Sequence, residues 1–448
     1  MERGILSSNV HRTQVLVVGA GPAGLVAGIT LGGYGIDVLV VDKRPGTSTL
    51  SRNLVISTRG MELMRRFGLE EAVRAGAADV ESRAWVTSTL SAGEGVEMPV
   101  GYPSDGEAAA VSPTRPAWAP QDHHEPLLLA RLRQAPSVRV RLEHELLDLG
   151  EGPGHGFRAQ VLDRSTSTTI AVDADYVIAA DGSGSAVRAQ LGVPMDGPDH
   201  LADYERVEFV APLDAAVGDR RYALYVITRP GAVCVLNRRG RGDRWGLSRE
   251  RLPGNERLED LSAPELTALI ARAAGVDDLE PRIERLSRFS FAAQMARTYR
   301  CGNAFLVGDA AHRMTPRGGT GMNTAIQDAF DLGWKLAFVL KGWAAAELLD
   351  TYEAERRPVA VHNVGRAAEP GGARRSTEEA LPWDLNGRIP HHWTTVAGRR
   401  VSTLDLVGGG LTVLTGPEGG CGSGALRSAA PVTVRTLDMS TATAMGLG

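Results

Sequence analysis

The sequence predicts an α/β fold in which a parallel-sheet domain is interrupted by a mostly antiparallel β-sheet domain and followed by a shortened C-terminal region. Three observations lead to this prediction. An apolar run near the N-terminus ends in a glycine-rich turn that precedes a helical pattern. A similar apolar run and glycine-rich turn recur beyond residue 300. Between them, residues 202–291 alternate apolar and polar side chains, as half-buried antiparallel strands do.

The N-terminal elements make a β-α-β unit of about thirty residues, which implies a parallel sheet with a right-handed crossover. Residues 14–18 are predicted as a buried strand because they form an apolar run that ends in glycine. Residues 22–34 are predicted as the following helix, and residues 37–41 as the second strand.

Periodicity predicts the remaining elements. Helices are expected where apolar residues recur every three to four positions, at 53–67, 125–134, 263–274, 322–340 and 344–361. Strands are expected where apolar residues alternate or run together, at 84–100, 138–149, 157–162, 170–172, 176–180, 206–212, 221–228, 232–237 and 244–249. Residues 101–120 are rich in Gly, Ala and Pro and are predicted as a loop, whereas residues 401–415 are predicted to contain two strands.

These elements divide the chain into three predicted units. The nucleotide-binding domain is discontinuous and takes residues 12–83, 105–195 and 292–365. The sheet domain takes residues 84–104 and 196–291, and the C-terminal region takes residues 366–448.

The charge balance, the apolar segments and the cysteines of the chain limit which partners and compartments are expected. Lys and Arg number 49 against 53 Asp and Glu, so the balance gives no reason to expect nucleic acid or an anionic membrane. Residues 1–13 lack the apolar core of a signal peptide, and the longest apolar helix is interrupted by Lys335 and Lys341. The three cysteines are too far apart for a metal pair or a disulfide framework. We therefore expect a cytoplasmic protein without a membrane segment or a metal site.

The first glycine-rich turn carries a dinucleotide fingerprint. Gly19, Gly21 and Gly24 lie between a strand and a helix in the G-x-G-x-x-G spacing. The first glycine permits the tight turn, the second lets the backbone approach a pyrophosphate, and the third lets helix and strand pack closely. Asp42 ends the second strand, where an acidic residue binds ribose hydroxyls. The motif does not separate NAD from FAD.

The second glycine-rich turn favours FAD. Asp309 ends a predicted strand, where its carboxylate can accept hydrogen bonds from a ribityl chain. Gly318, Gly319 and Gly321 allow the backbone to lie against a flat ring system. The helix that begins near Met322 directs its N-terminus at that ring, and this end stabilises the negative charge of a reduced flavin.

A third motif lies between the other two, with Asp181 and Gly182 after a strand and before a helix. The three motifs, in this order and spacing, are similar to those of class A flavoprotein monooxygenases, which include para-hydroxybenzoate hydroxylase, phenol hydroxylases and the hydroxylases of bacterial aromatic polyketides. The resemblance covers about residues 12–365 and includes shorter matches at 121–128 and 349–358. It implies that the predicted nucleotide-binding domain is a Rossmann-like FAD-binding domain.

The resemblance also implies roles for individual residues. On the adenosine and pyrophosphate side, Asp42 binds the ribose, Lys43 is a further cofactor-binding residue, and Arg52 lies near the pyrophosphate or the flavin. Gln121 contacts the ribityl region, and Asp181 belongs to a motif linked to both FAD and the transient NAD(P)H.

On the flavin side, Asp309 holds the ribityl chain and Pro316 lies near the reactive edge of the ring. The residues implied along the ring and its pyrimidine side are Gly319, Gly321, Met322 and Asn323. Pro316 and Arg52 are the candidate catalytic residues, and no side-chain base is assigned. His312 is expected to be structural, and His123 and His124 to be solvated loop residues.

The implied reaction is hydroxylation of a phenolic or polyketide-like aromatic substrate through a flavin C4a-hydroperoxide, in secondary metabolism. NAD(P)H is the transient reductant, with NADPH favoured, and O2 is the other co-substrate. Baeyer–Villiger oxidation or epoxidation on the same scaffold stays open, as does a non-catalytic flavin-binding module. The residues leave it undecided whether the protein is a monomer or a homo-oligomer, and no metal is required.

The motifs assign no role to two regions, the sheet domain and the C-terminal region. The strands that open with Arg221 and Tyr222, and those that contain Cys234 and Trp245, have no register that would assign their side chains to pocket or solvent. Residues 401–415 resemble the beginning of the thioredoxin-like domain that closes many relatives, and we expect a reduced or partly irregular form of this domain in residues 366–448. Cys421 has no C-x-x-C partner, so a thiol redox role is not expected.

Overall fold

A computed structural model describes residues 10–50, 52–254, 256–417 and 428–447. Within these residues, an eight-stranded sheet contains the N-terminal β-α-β unit. Six of its strands follow one another from edge to edge: β16 (Arg300–Cys301), β17 (Ala304–Leu306), β8 (Thr168–Ala179), β1 (His11–Val18), β2 (Val38–Asp42) and β5 (Val138–Leu142). The hairpin of β6 (His144–Glu151) and β7 (Phe157–Asp163) completes the sheet, because β7 pairs with β8.

The core of this unit is built on β1, which lies between β2 and β8 and pairs in parallel with both. Val15 to Val18 are buried, which accounts for their continuous apolar run. Helix α1 (Pro22–Gly33) returns the chain from β1 to β2 and packs against α5 (Gln121–Leu132) and α9 (Thr320–Leu340).

A second sheet has seven strands within the described residues. Their order is β14 (Arg282–Phe291), β10 (Ala202–Val210), β13 (Arg244–Glu250), β12 (Cys234–Arg238), β11 (Tyr222–Ile227), β3 (Glu81–Thr87) and β4 (Gly95–Pro99). All neighbouring strands are antiparallel except β11 and β3, which are parallel. One face packs its apolar residues, with Phe209 and Trp245 at the centre, against α8 (Ala263–Ala274).

Smaller elements connect the two sheets. A three-stranded sheet is formed by β18 (His312–Arg313), β15 (Gln294–Ala296) and β9 (Met195–Asp196). The remaining helices before the C-terminal region are α2 (Thr58–Arg66), α3 (Glu70–Ala75), α4 (Asp105–Val111), α6 (Ala186–Gln190), α7 (Asp214–Val217) and α10 (Asp350–Ala368).

The C-terminal region holds two separate strand pairs within the described residues. Strands β19 (Trp393–Val396) and β20 (Arg399–Ser402) are antiparallel, whereas β21 (Leu411–Thr415) and β22 (Val432–Thr436) are parallel. Helices α11 (Thr377–Asp384) and α12 (Met439–Ala444) accompany them. The thioredoxin-like interpretation stays a prediction, and Cys421 lies outside the described residues.

Several local predictions are corrected by the structure. The helix expected at 53–67 begins only at Thr58, because Ser57 caps it with its side chain, while Ile56 pairs with Ala117 in an isolated bridge. The loop expected at 101–120 contains α4, which begins with a capping box of Ser104 and Glu107.

Other corrections concern the ends of elements. The helix expected at 125–134 begins earlier, at Gln121, and the strands expected at 170–172 and 176–180 are one strand, β8. His123 and His124 therefore lie in α5 rather than in a loop, and His124 is buried, so the expectation of two solvated histidines was wrong. The structure also adds β14, which the sequence patterns did not single out.

No helix among the described residues is both long enough and apolar enough to cross a membrane.

Candidate active site

The first glycine-rich turn has the geometry of a pyrophosphate cradle. Gly19 has φ of +106°, and a Cβ atom there would lie 2.2 Å from the Ala180 carbonyl oxygen. A Cβ at Gly24 would lie 1.9 Å from the Gly19 oxygen, so both glycines are required by close packing. A Cβ at Gly21 would meet nothing within 4 Å. The surface at the N-terminus of α1 is therefore open, and a phosphate can approach its amides.

Asp42 ends β2 next to this turn, but protein donors already engage its carboxylate. Oδ2 accepts a hydrogen bond from the Ala20 amide at 2.7 Å, and Oδ1 accepts one from the Arg44 amide at 2.8 Å. The Arg44 guanidinium forms an ion pair with Oδ2 at 3.0 Å. Burial alone would raise the pKa of Asp42, but these hydrogen bonds lower it overall. Lys43 is exposed.

Gln121 and its neighbours hold the segment 48–53 in place. The Gln121 side chain donates to Glu125 Oε2 at 2.6 Å and accepts from Asn53 at 3.4 Å. Glu125, which is fully buried, accepts from the Ser48 amide at 2.9 Å. The first turn of α5 thus positions the segment that carries Arg52, whose side chain is exposed.

Asp309 is exposed beyond the end of β17, and the charge of Arg52 acts on it. Its carboxylate is reached by solvent and accepts no hydrogen bond from a described residue. The surrounding protein nevertheless desolvates this group and raises its pKa, against the opposing charges of His312, Arg52 and Arg313. An accessible carboxylate without a donor in the described part of the chain is free to accept hydrogen bonds from a ligand, as expected for a residue that binds ribityl hydroxyls.

The second glycine-rich turn leaves the start of α9 uncapped. Gly319 is the N-cap residue, with φ of +63° and no capping side chain. The first amides of a helix have no intrahelical acceptor, so they are available to a ligand. A Cβ at Gly321 would have only Met314 within 4 Å, at 3.8 Å, so the turn is open on this side. Pro316 is exposed at the beginning of the same turn.

Met322 and Asn323 are buried within the protein. The Asn323 amide donates to the Val55 and Gly319 carbonyls at 3.1 and 3.0 Å, and its oxygen accepts from the Ser57 amide at 2.8 Å. The Asn323 side chain therefore joins α9 to the segment before α2. Its implied contact with a flavin would have to be made by its backbone.

Asp181 performs a local structural task. Its carboxylate accepts from the Ser185 hydroxyl at 2.5 Å and from the Val187 amide at 3.1 Å, which fixes the start of α6. Both oxygens are thus engaged within the Asp-Gly motif, and a role toward FAD or NAD(P)H stays a prediction.

His312 lies in a buried ion-pair network. Its Nε2 atom is 2.6 Å from Asp328, which also accepts from Arg356 at 2.8 Å. His312 and Asp328 are fully buried. This environment fits the expected structural role of His312. His124 is no better placed as a base, because it is buried against the Ala119 carbonyl and burial lowers its pKa to about 4.

The second sheet presents an aromatic cluster on the face opposite α8. Tyr204 stacks on Phe291 with ring centroids 4.1 Å apart and on Phe289 at 5.7 Å. The Arg206 guanidinium lies 5.0 Å from the Phe289 ring centroid and donates to Ser248 at 3.0 Å. None of these residues was singled out in the sequence. The available signal was the alternation in β14, where every second residue from Arg285 to Phe291 is sheltered.

This face contacts the second glycine-rich turn and the segment 48–53, which both border the candidate FAD site. Arg317, directly after Pro316, lies with its guanidinium 5.2 Å from the Phe291 ring centroid. Arg285, on the same face, donates to the Thr49 carbonyl at 2.8 Å. Cys234 and Trp245, by contrast, belong to the core against α8, and Arg221 is exposed and paired with Asp79. Tyr222 is buried and stacks on Trp85.

Comparisons with known proteins agree with this geometry. The FAD binding domain family matches residues 12–367. A putative polyketide hydroxylase of Streptomyces halstedii is 34% identical over 443 residues, which cover 89% of this chain and 80% of that protein. Aklavinone 12-hydroxylase RdmE of Streptomyces purpurascens is 33% identical over 458 residues, which cover 92% of this chain and 85% of that protein.

The fold is also similar to solved structures of flavin-dependent hydroxylases and monooxygenases. The flavin-dependent monooxygenase PieE, in complex with FAD and substrate, has a TM-score of 0.88 at 27% identity, covering 98% of this chain and 93% of PieE. A ternary complex of aklavinone-11 hydroxylase with FAD and aklavinone has a TM-score of 0.81 at 29% identity, covering 96% of this chain and 89% of that protein.

The chain belongs to the FAD binding domain family. It is a flavin-dependent monooxygenase of the aromatic hydroxylase class. The α/β fold class, the FAD cofactor and the family resemblance inferred from the sequence are thereby confirmed.

Proposed function

We propose that this monooxygenase hydroxylates an aromatic, polyketide-like substrate, with NADPH as reductant and O2 as the source of the inserted oxygen atom. The observation that carries the proposal is the aromatic cluster of Tyr204, Phe289 and Phe291, which faces the turn of Pro316 and Arg317. Flat aromatic side chains beside a flavin turn suit a flat aromatic substrate. Relatives described as polyketide and aklavinone hydroxylases support this substrate class.

The open sites along the chain fit FAD. The uncovered surface at Gly21 would take the pyrophosphate, and the accessible Asp309 carboxylate would take the ribityl hydroxyls. The uncapped amides at the start of α9, beside Gly321, would face the ring. Bound FAD supplies the electron transfer and oxygen activation for which protein side chains are unsuited.

The residue roles inferred from the sequence follow from this placement. Asp42 would serve the adenosine ribose while keeping its bonds to Ala20 and Arg44. Arg52 lies in the segment ordered by Gln121 and exerts its charge on Asp309, which suits a group at the pyrophosphate or flavin. Pro316 would border the reactive edge without itself exchanging protons.

The second sheet would choose the substrate. We assign this role to residues 84–104 and 196–291, which contain the strands of this sheet apart from the first three residues of β3, whereas residues 12–83, 105–195 and 292–365 would hold FAD. Arg206 stands at the edge of the aromatic cluster, where a guanidinium can donate to a phenolic or carbonyl oxygen of a polyketide. The contact with Arg206 would orient the substrate oxygen, and His312 and His124 are buried away from this face.

The test is NADPH consumption by the FAD-loaded protein under air, with aromatic polyketides such as anthracyclinones as candidates, followed by product mass under labelled O2. The proposal expects substrate-stimulated NADPH oxidation and a product heavier by one labelled oxygen, attached to an intact ring. A lactone or an epoxide would instead establish the Baeyer–Villiger or epoxidation alternative. If the protein holds FAD and no aromatic compound stimulates NADPH oxidation, the result would support a non-catalytic flavin-binding module.

A further inference from the structure

Arg375 belongs to the C-terminal region, beyond the residues that the family matches, yet its side chain reaches the turn before α9. It is 4% exposed. Its backbone is tied to the end of β4, because Arg375 pairs with Val100 in an isolated parallel bridge. One residue therefore joins the C-terminal region, the second sheet and the second glycine-rich turn.

The contacts of Arg375 converge on two consecutive carbonyl groups. Its Nη2 atom donates to the Gly318 oxygen at 2.9 Å, and the Tyr102 hydroxyl lies 3.0 Å from the same oxygen. The Gly319 oxygen accepts from the Asn323 amide at 3.0 Å and also lies 3.0 Å from the Tyr102 hydroxyl. Since a hydroxyl has a single proton, Tyr102 can fully serve only one carbonyl at a time. Arg375 then satisfies the Gly318 oxygen.

These bonds orient the two peptide groups of the turn that lead into α9. In a trans peptide the carbonyl oxygen and the amide hydrogen point in opposite directions. The Thr320 amide therefore points away from the Gly319 carbonyl and from Tyr102. The Gly319 amide, which shares its peptide with the Gly318 carbonyl that Arg375 binds, donates to the Pro316 carbonyl at 3.0 Å. The turn needs this support because Gly318 and Gly319 have φ of +80° and +63°, and glycine restrains its own backbone least.

The fit around Arg375 is close as well as polar. A Cβ atom at Gly318 would lie 2.5 Å from its Nη2 atom, and a Cβ at Gly101 would lie 3.1 Å from Nε. Tyr102 and Asp384 lie close enough to interact with its charge. Two glycines thus leave the space through which the guanidinium reaches the turn.

We propose that Arg375 is a positioning residue for the flavin, which acts from outside the FAD-binding domain by holding the Gly318–Gly319 turn so that the first amides of α9 face the ring. The proposal rests on the flavin position given under the proposed function. It predicts that FAD affinity and flavin electronics depend on a side chain of the C-terminal region. The same turn also carries Arg317, so its position sets one wall of the substrate cleft.

The test compares Arg375→Met with Arg374→Met in the full-length protein. Arg374 is the adjacent residue and is exposed, so its variant controls for the loss of a positive charge in this segment. We expect Arg375→Met to weaken FAD binding by about tenfold, as measured by quenching of FAD fluorescence. We also expect a lower flavin reduction potential, because misdirected amides stabilise the anionic reduced ring less. Arg375→Lys should recover part of both.

The outcomes separate positioning from simple support of the fold. Unchanged FAD affinity and reduction potential in a folded Arg375→Met protein would overturn the proposal. If that variant does not fold, Tyr102→Phe removes one hydroxyl from the same turn and keeps the packing, and the same two measurements decide. Substrate-free FAD binding is independent of the hydroxylation assay. A wild-type protein that binds FAD but hydroxylates no aromatic compound would therefore refute the proposed function alone.

Discussion

Arg356 donates a hydrogen bond to Asp328 from α10, at 2.8 Å, while His312 contacts the other oxygen of the same carboxylate at 2.6 Å. All three residues are buried, so removal of the shared carboxylate charge leaves two polar partners uncompensated. We expect Asp328→Asn to lower the free energy of unfolding by about 3–5 kcal/mol. Urea denaturation measures this change. Asp350→Asn, at an exposed carboxylate paired with Arg300, should change the free energy by less than about 1 kcal/mol.

Alanine at two glycines of the first turn should affect different properties: the stability of the protein at Gly24 and its affinity for FAD at Gly21. Gly24→Ala puts a methyl group into the Gly19 carbonyl, so it should lower the free energy of unfolding by about 1–3 kcal/mol or prevent folding. Gly21→Ala meets no protein atom and should lower the stability of the FAD-free protein by no more than about 1 kcal/mol, the cost of alanine at the N-cap of α1. FAD affinity should nevertheless fall, because the methyl group occupies the pyrophosphate surface. Equal stability losses in both variants would contradict this assignment.

Asp309→Asn should produce folded but largely colourless protein. The asparagine keeps the size of the side chain and loses the charge and half of the acceptor capacity offered to ribityl hydroxyls. We expect the dissociation constant for FAD to rise by about tenfold or more, with an unchanged circular dichroism spectrum. Asp277→Asn, at an exposed carboxylate after α8, is the control. Full FAD occupancy in Asp309→Asn would show that the ribityl site lies elsewhere.

Phe289→Ala tests the aromatic cluster as a substrate surface. Loss of the ring removes its stacking with Tyr204 and its contact with Arg206. The KM for an aromatic substrate should rise about tenfold, whereas FAD affinity should stay at the wild-type value. Leu286→Ala is the matched control, since Leu286 is exposed and lies on the other face of the same strand. An equal effect of both variants on KM would remove the cluster from the substrate site.

His124 should make the protein less stable in mild acid. Burial lowers its pKa from 6.5 to about 4, so the unfolded chain binds a proton there before the folded protein does. The contribution of neutral His124 to the free energy of unfolding is therefore fully present above pH 6.5 and is lost as the pH falls toward 4. Between pH 7 and pH 5 this histidine should cost about 2 kcal/mol. Urea denaturation at both pH values should show a smaller loss for His124→Gln, and the wild-type loss for His200→Gln at an exposed histidine.

Local signals in the sequence were sufficient for some elements and not for others. Helix α8 was predicted with its observed ends, because Ser262 and Gly275 cap a strongly amphipathic segment. The start of α2 was missed because Asn323, far along the chain, takes the Ser57 amide and holds the preceding residues extended. Helix α4 has a capping box that the pattern of small residues obscured.

The candidate site divides in the same way. The glycines and Asp309 were found because their function demands particular residue types at a fixed spacing. The aromatic cluster was missed because alternation defines two faces of a strand without saying which one is covered. Which face is covered depends on α8, which packs on the opposite face of the sheet. Tyr204 and Phe289 therefore lie on the face that contacts the second glycine-rich turn. His124 likewise looks polar in the sequence and is buried by tertiary packing.

The parallel pairing of β11 with β3 has a consequence for chimeric enzymes. The sheet assigned to substrate choice is assembled from two stretches of chain, because residues 105–195 of the other unit separate β3 and β4 from the remaining strands. A transplant of residues 202–291 alone would present the edge of β11 to a foreign neighbour. A chimera designed for a new substrate must therefore take residues 81–99 and residues 202–291 from the same parent enzyme.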